Sequence, residues 1–259
     1  MKLLTLNCHS WMEEEQLEKI RYLAEVIKEK QYDVIALQEV SQSVKKNIVN
    51  GHIKEDNFVY LLNNELKKLQ EFNYKYVWEF SHIGYDIYEE GLCILTRHKI
   101  EEVESFYVTK SNEKTFYKSR KVIKCSININ NEKINFLSCH LGWWDDEDES
   151  FKYQADNLMK KLDGLSFVMG DFNNNAMVRN EGYDYLLSKG LIDTYNIALE
   201  KDSGITVPGE IAGWEGKNED KRLDIIFTNQ SLNVKKSNVV FNGMNKMVIS
   251  DHYGVEIDI

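Results

Sequence analysis

The chain has 259 residues, 42% of them hydrophobic and 29% charged, with 32 Lys and Arg against 42 Asp and Glu for a net charge of −10. Such a length and apolar content suit one large globular domain, expected over 1–259, whose core needs no staples. The acidic balance argues against a protein that grips a nucleic-acid polymer through its phosphates.

In chain order, Lys2 to Leu6 forms a short apolar strand. Leu17, Ile20, Leu23, Ala24 and Ile27 then recur at helical spacing, with Lys28 and Lys30 near the end, where cations suit the helix dipole. Asp33 to Leu37 is an apolar run of buried-strand type, so the first forty residues predict a β-α-β unit. A second helix is predicted over Asn57–Glu71, followed by strands at Leu92–Leu95, Lys121–Asn128 and Ile134–Ser138. The last two are joined by "INNEKI" (129–134), which turns on Asn130, Asn131 and Glu132 as a hairpin. Helices at about Ser150–Leu162 and at Tyr183–Lys189 flank a strand at Phe167–Met169. Strands at Leu223–Phe227 and Val239–Phe241 follow, and the acidic run Asp145–Glu149 reads as a solvated loop. Strands outnumber helices, which suggests sheet packed on sheet with helices outside.

No apolar stretch approaches the roughly 18 residues of a membrane span. The apolar run before Asn7, Cys8 and His9 is shorter than the roughly 7–15 residues of a secretory h-region. A cytoplasmic location with reduced thiols is therefore expected. Cys8, Cys93, Cys125 and Cys139 show no zinc-type spacing and read as apolar filler.

The polar residues collect at strand ends. One strand ends in Asn7 and another in Gln38-Glu39. A third ends in Cys139-His140, and "SFVM" runs into Gly170-Asp171 with Asn173 beyond it. Asp224 opens an apolar strand, and Asp251-His252 closes the run "VIS". Each alone is an ordinary turn or loop residue; their joint occurrence points to one site. Hard divalent cations take oxygen ligands of the kind that Asn7, Glu39 and Asp251 supply. A phosphate needs donors such as His140, Asn173 and His252. Asp171 suits the acceptor that positions an attacking water, and Asp224 suits the carboxylate that orients His252. Together they predict metal-assisted phosphoester hydrolysis.

The segments "TLNCHSW", "DVIALQEV", "GLCILTRHKI", "SCHLGWW", "GDFNN", "RLDIIF" and "SDHYGV" occur in an order that resembles the endonuclease/exonuclease/phosphatase superfamily. The resemblance spans nearly the whole chain. It implies an α/β (α+β) fold, a four-layer α/β/β/α sandwich with the site at one end. It further implies Asn7, Glu39 and Asp251 at a metal site with Glu39 the principal ligand, and a catalytic set of His140, Asp171, Asn173, Asp224 and His252. The implied cofactor is Mg²⁺, with Mn²⁺ the alternative. One departure is Lys99 in "TRHKI", where related proteins often carry proline; a change confined to a local turn is expected.

Among branches, "LNCHSWMEE", "CHLGWWDDE", "EGYDYLLSKGLIDTY", "IAGWEG" and "NGMNKMVISDHYGV" resemble the bacterial maltose 6′-phosphate phosphatases. The expected substrate is then a small phosphorylated sugar, with neither nucleic acid nor membrane as partner. Trp143 and Trp144 follow the site histidine, and Trp11 and Trp214 sit in polar loops; indole faces suit sugar rings. A monoester dianion needs an extra cation, and the basic run "KSNEKTFYKSRKV" (110–122) offers Lys118 or Arg120 to clamp its terminal oxygens. The alternatives are a nuclease of the same fold, which needs a basic groove and DNA-inserting loops, a phosphodiesterase acting on a lipid headgroup, which needs an exposed apolar hairpin, and an inactive binding module, which predicts lost site residues. The oligomeric state is not encoded in any of these features.

Overall fold

The computed structural model describes residues 1–69 and 73–259. The chain opens with strand β1 (Lys2–Asn7), helix α1 (Gln16–Lys30) and strand β2 (Val34–Ser43). A small hairpin, β3 (Ile48–Asn50) with β4 (Ile53–Lys54), leads into α2 (Phe58–Leu69). Strands β5 (Lys75–Gly84), β6 (Tyr88–Thr96) and β7 (Lys99–Tyr107) follow, then the hairpin of β8 (Lys121–Ile129) and β9 (Glu132–His140). Next come α3 (Phe151–Met159), β10 (Ser166–Asp171) and α4 (Gly182–Ser188). The short β11 (Ile192–Asp193), α5 (Thr194–Ile197) and β12 (Glu200–Lys201) precede β13 (Asp224–Thr228), β14 (Lys236–Val240) and β15 (Gly254–Asp258).

Two sheets carry the fold. One is ordered β12-β14-β15-β1-β2-β6-β5 and the other β11-β13-β10-β9-β8-β7. Near the centre of each lies a parallel pair, β1 with β2 and β9 with β10. Parallel pairing brings strand ends together at one edge: Asn7 lies beside Gln38, and His140 beside Asp171.

The period-2 alternation of strand side chains sorts the core. Leu3, Val34 and Ala36 face inward, where they meet Ile123, Phe136, Phe167 and Ile226 of the second sheet. Leu4, Leu6, Ile35 and Leu37 face outward against Ile20, Leu23 and Ile27 of α1 and Phe58, Leu62 and Leu66 of α2. On the other side, α3 and α4 place Phe151, Leu158 and Leu186 over Leu137, Val168 and Phe227. Phe136 and Phe167 stack between the sheets at 5.4 Å; truncating either to alanine would cost about 3–5 kcal/mol. The layers are thus α/β/β/α, as the resemblance implies.

Several expectations shift in detail. The second helix spans Phe58–Leu69, and its expected end at Glu71 lies outside the described residues. Leu17, expected on the buried face of α1, is half exposed because it sits in the first turn, short of the sheet. The short strands β3, β4, β11 and β12 and the longer β5, β7 and β15 have no counterpart in the sequence reading. The β7 segment KIEEVESFY is a sheet edge, so its glutamates stand in solvent and hide the strand pattern. The β8–β9 turn uses Asn130 (φ 53°) and Asn131 (φ 67°), the two positive φ values that a two-residue I′ turn demands. Lys99 simply opens β7. The acidic run is a loop with Asp145, Glu147 and Asp148 exposed as expected, but Glu149 turns inward, where it is buried and accepts from the backbone N–H groups of Lys110 and Ser111 at 2.9 and 2.7 Å. Among the described residues, no helix is long and apolar enough to cross a membrane.

Candidate active site

Local backbone devices aim the site residues. Strand β2 shifts register between Leu37 and Val40 against β6, and Glu39 sits in this bulge at φ 50°. Bulges re-aim side chains, and a left-handed non-glycine residue stores roughly 1–3 kcal/mol of strain. In β10, Gly170 has φ 152°, and a Cβ there would lie 1.9 Å from the Cys139 carbonyl oxygen. Only glycine lets β10 hug β9 at that point, which sets Asp171 beside His140. Asn173 is left-handed at φ 49°, a conformation asparagine tolerates.

The two sheets meet at these ends through a buried polar network. Gln38 Nε2 donates to Ser138 Oγ at 3.1 Å, and Ser138 Oγ donates to the Leu37 carbonyl at 3.1 Å. In front of it, Asn7 Nδ2 donates to Glu39 Oε1 at 2.8 Å and to Asp171 Oδ2 at 3.2 Å. The Asn7 oxygen accepts the His9 N–H at 3.1 Å. Asn7 therefore enters as a donor to the carboxylates, rather than as the open oxygen ligand its residue type suggests.

Asp171 is the hub. Its Oδ1 accepts the Asn173 N–H at 2.8 Å, while Oδ2 lies 3.6 Å from His140 Nε2 and 3.8 Å from His252 Nε2. His252 Nδ1 lies 2.8 Å from Asp224 Oδ2. Thr206 Oγ1 accepts the Asp224 N–H at 3.2 Å and so anchors that strand. Burial disfavours an imidazolium at His252, but the Asp224 and Asp171 charges outweigh it and hold its pKa well above the ordinary value. Burial, reinforced by the Arg120 charge, drives His140 the other way, well below. The two imidazoles are thus biased in opposite directions, His252 toward the cation and His140 toward the neutral ring.

Asn173 Nδ2 donates to the Leu141 carbonyl at 3.0 Å, and its Oδ1 accepts the Trp214 indole N–H at 3.3 Å. That pair of bonds fixes which way the amide faces and leaves its second amide hydrogen free. Trp214 is not in an open polar loop; it is buried with Val207 and Leu223. Its loop is pinned by Lys221, fully buried, whose Nζ donates to the carbonyls of Gly209, Lys217 and Glu219.

A cleft of about 480 Å³ opens over Glu39, His140, Asp171, Asn173, Asp251 and His252. Its walls include Arg120, Trp143, Tyr85, Tyr117 and the stretch Ile211 to Gly213. Trp144 is not among them: it packs outward on Phe151 and Tyr185 at the second sheet's covered face. Nor is Lys118, which is tied to Asp146 at 2.9 Å and Asp148 at 2.7 Å. Trp11 donates its indole N–H to the Ser41 carbonyl and lies elsewhere.

Sequence reasoning missed Glu90, His82 and His9. Glu90 Oε1 stands 3.8 Å from His140 Nδ1 and 3.5 Å from His82 Nε2. His9 Nδ1 lies 2.8 Å from Glu13 Oε1 and 3.4 Å from Asp251 Oδ1. Position two residues past Asn7 was a signal for His9; Glu90 had none, since it stands before the recognisable apolar run of β6.

The carboxylates fit a divalent cation. Glu39 is half-buried at the floor of the cleft beside Glu90 and Asp251, and desolvation together with those charges pushes its pKa up to about 7. A cation relieves that crowding, and oxygen donors suit a hard one. The set His9, Glu13 and Asp251 also converges within 4.8 Å, but Glu13 is already paired with Lys19 at 2.6 Å.

A sandwich whose parallel strand ends gather carboxylates, amides and imidazoles at one cleft defines a hydrolase of phosphoric esters. The profile of the Endonuclease/Exonuclease/phosphatase family matches residues 11–252, and the chain belongs to that family, whose members depend on divalent metal. A family protein from Leptotrichia buccalis C-1013-b is 42% identical and superposes with a TM-score of 0.95, covering 100% of this chain and 99% of that one. The mannosyl-6-phosphatase of Bacteroides thetaiotaomicron VPI-5482 is 17% identical, with a TM-score of 0.71 over 100% of this chain and 98% of its own. Truncated TDP2 from Caenorhabditis elegans is 17% identical, with a TM-score of 0.65 over 99% and 95%. These two share the fold. A comparison with curated proteins finds no match.

Proposed function

We propose that the chain is a cytoplasmic, single-domain phosphomonoesterase that hydrolyses a small phosphorylated sugar, with maltose 6′-phosphate the foremost candidate and Mg²⁺ the cation. The observation that carries this reading is the cleft itself. About 480 Å³ is the scale of a small-ligand pocket, it ends on the Asp171–His252 cluster, and one wall is the indole of Trp143. An indole face suits the C–H face of a sugar. The net charge of −10 opposes a polymer of phosphates.

Glu39 and Asp251 would hold the cation, with Asn7 fixing Glu39. When bound, it supplies Lewis-acid polarisation of a phosphoryl oxygen and offsets developing negative charge. The chain's residues do the rest. Asp171, held by Asn7 and by the Asn173 N–H, takes a proton from the attacking water as its oxygen forms the new bond to phosphorus. The bond from phosphorus to the sugar oxygen breaks opposite, and the departing oxygen takes a proton from solvent so that the sugar leaves as its alcohol. His252, turned by Asp224, donates Nε2–H to a phosphoryl oxygen. His140, kept neutral, donates through the one nitrogen that carries its proton, and the free amide hydrogen of Asn173 adds a further donor.

The test is phosphate release by the purified protein with Mg²⁺ from maltose 6′-phosphate, glucose 6-phosphate, a nucleoside monophosphate and an abasic-site duplex. Preference for the disaccharide phosphate is expected. Cleavage of the duplex alone would sink the reading.

A further inference from the structure

The sequence leaves two cations, Lys118 and Arg120, as equal candidates for the substrate's terminal oxygens. The structure separates them. Lys118 is neutralised by Asp146 and Asp148. Arg120 is 5% exposed, yet its guanidinium makes no hydrogen bond or ion pair among the described residues, and its Nε is buried without a partner. Buried charges are ordinarily paired, so this one is built to meet something that arrives. Its backbone is fixed: Arg120 N–H donates to Thr109 Oγ1 at 3.0 Å, and its carbonyl accepts the Val108 N–H at 2.9 Å. Its guanidinium lies 5.6 Å from the centre of the Trp143 ring. It lines the cleft with His140, Asp171 and His252, and shares a recess with His82, Glu90 and His140. The carboxylate in that recess, Glu90, feels the Arg120 charge but lies beyond ion-pair distance of it, with His82 and His140 as its nearer partners.

We infer that Arg120 selects phosphomonoesters over phosphodiesters in this cleft. The inference rests on the phosphatase reading above and adds the residue that makes it selective. A monoester near neutral pH carries nearly two charges, its second pKa being about 6, on three terminal oxygens. A diester carries one charge on two oxygens. The groups around Asp171 meet the charge common to both. Only a further cation on the side away from the attacking water distinguishes the second charge. A guanidinium presents a planar fork that matches two phosphoryl oxygens, and its place over the Trp143 ring at 5.6 Å limits where it can move before substrate arrives. In a diester the corresponding oxygen bears a substituent, which offers the fork no charge and crowds the indole.

The experiment compares para-nitrophenyl phosphate with bis(para-nitrophenyl) phosphate, both with Mg²⁺, for the unaltered protein, Arg120→Met and Arg120→Lys. Monoester kcat/KM should fall on the order of 100-fold in Arg120→Met, with Arg120→Lys between, while the diester rate stays within a few-fold. Parallel loss on both substrates, or no loss on the monoester, would overturn the inference. Should Arg120→Met not fold, the unaltered protein still decides. Inorganic phosphate should compete at least about tenfold better than dimethyl phosphate, and equal competition overturns the inference. An unaltered protein that turns over diesters and no monoester would overturn the phosphatase reading, and Arg120's part with it.

Discussion

His252 Nδ1 lies 2.8 Å from Asp224 Oδ2, and the other oxygen of that carboxylate is buried without a hydrogen-bond partner among the described residues. Asp224 thus orients the His252 ring and favours its charged form, with the Thr206 hydroxyl beside it. Asp224→Asn keeps the shape, but the amide nitrogen can turn toward Nδ1 and select the wrong tautomer. Loss of kcat on the order of 10³–10⁴-fold is expected, with KM little changed and the thermal melt intact. Activity within tenfold of the unaltered protein would remove His252 from the proposed chemistry.

Metal affinity should depend on pH through Glu39. In the metal-free protein its pKa is pushed up to about 7 by burial and by Glu90 and Asp251, so below that value a cation must displace a proton. Affinity should fall as pH drops from about 8 to about 6, with proton release appearing across that window. Calorimetric titration in buffers of different ionisation enthalpy reads it directly. The same raised value means that the metal-free native state holds a proton the unfolded chain releases. Glu39's contribution to stability is therefore greatest at low pH and is lost as pH rises through about 7. Affinity flat across the window would exclude Glu39 as the ligand.

Trp214 holds the Asn173 amide by one hydrogen bond. Trp214→Phe keeps the ring and removes the donor, leaving the Asn173 oxygen unmet. One neutral hydrogen bond is worth about 0.5–1.5 kcal/mol, so kcat should drop roughly 2- to 10-fold with KM nearly constant. A rise in KM alone would mean that Trp214 serves as substrate wall and not as a support for Asn173.

Gly170→Ala should be among the most damaging small substitutions. Its added Cβ would collide with the Cys139 carbonyl at 1.9 Å, in a backbone conformation that L side chains rarely adopt. A loss of about 3 kcal/mol or more is expected, read by urea denaturation. A melt unchanged from the parent would refute the role assigned to this glycine in closing β10 on β9.

The residues that a reader of the sequence can find are those in which a strand's apolar run ends abruptly in a polar group: Asn7, Glu39, His140, Asp171 and His252. Asn7 and Asp171 close strands buried on both faces, so the hydrophobic signal is continuous and its end is visible; Glu39 lies at the bulge inside β2, and His252 in the loop before β15 rather than at a strand end. Glu90 escaped because β6 begins with three polar, half-buried residues that read as a turn. Arg120 and Lys118 are two positions apart with similar composition around them. Only the fold tells them apart, by closing Asp146 and Asp148 over one and Trp143 over the other. Trp143 and Trp144 diverge for a similar reason: consecutive side chains leave the chain on opposite sides, one into the cleft and one onto α3.

The hydrogen bond from Asn7 to Asp171 joins two residues from different sheets, the first from the opening strand and the second from the middle of the chain. Neither sheet owns a complete reaction centre. On the proposed mechanism, a nascent chain that has formed only its amino-terminal layers should be chemically inert, and turnover should report that both halves have docked in register. Substitutions that loosen the Gln38–Ser138 seam should silence the enzyme before they unfold it, which makes catalysis a finer gauge of native assembly here than any spectroscopic measure of helix or strand.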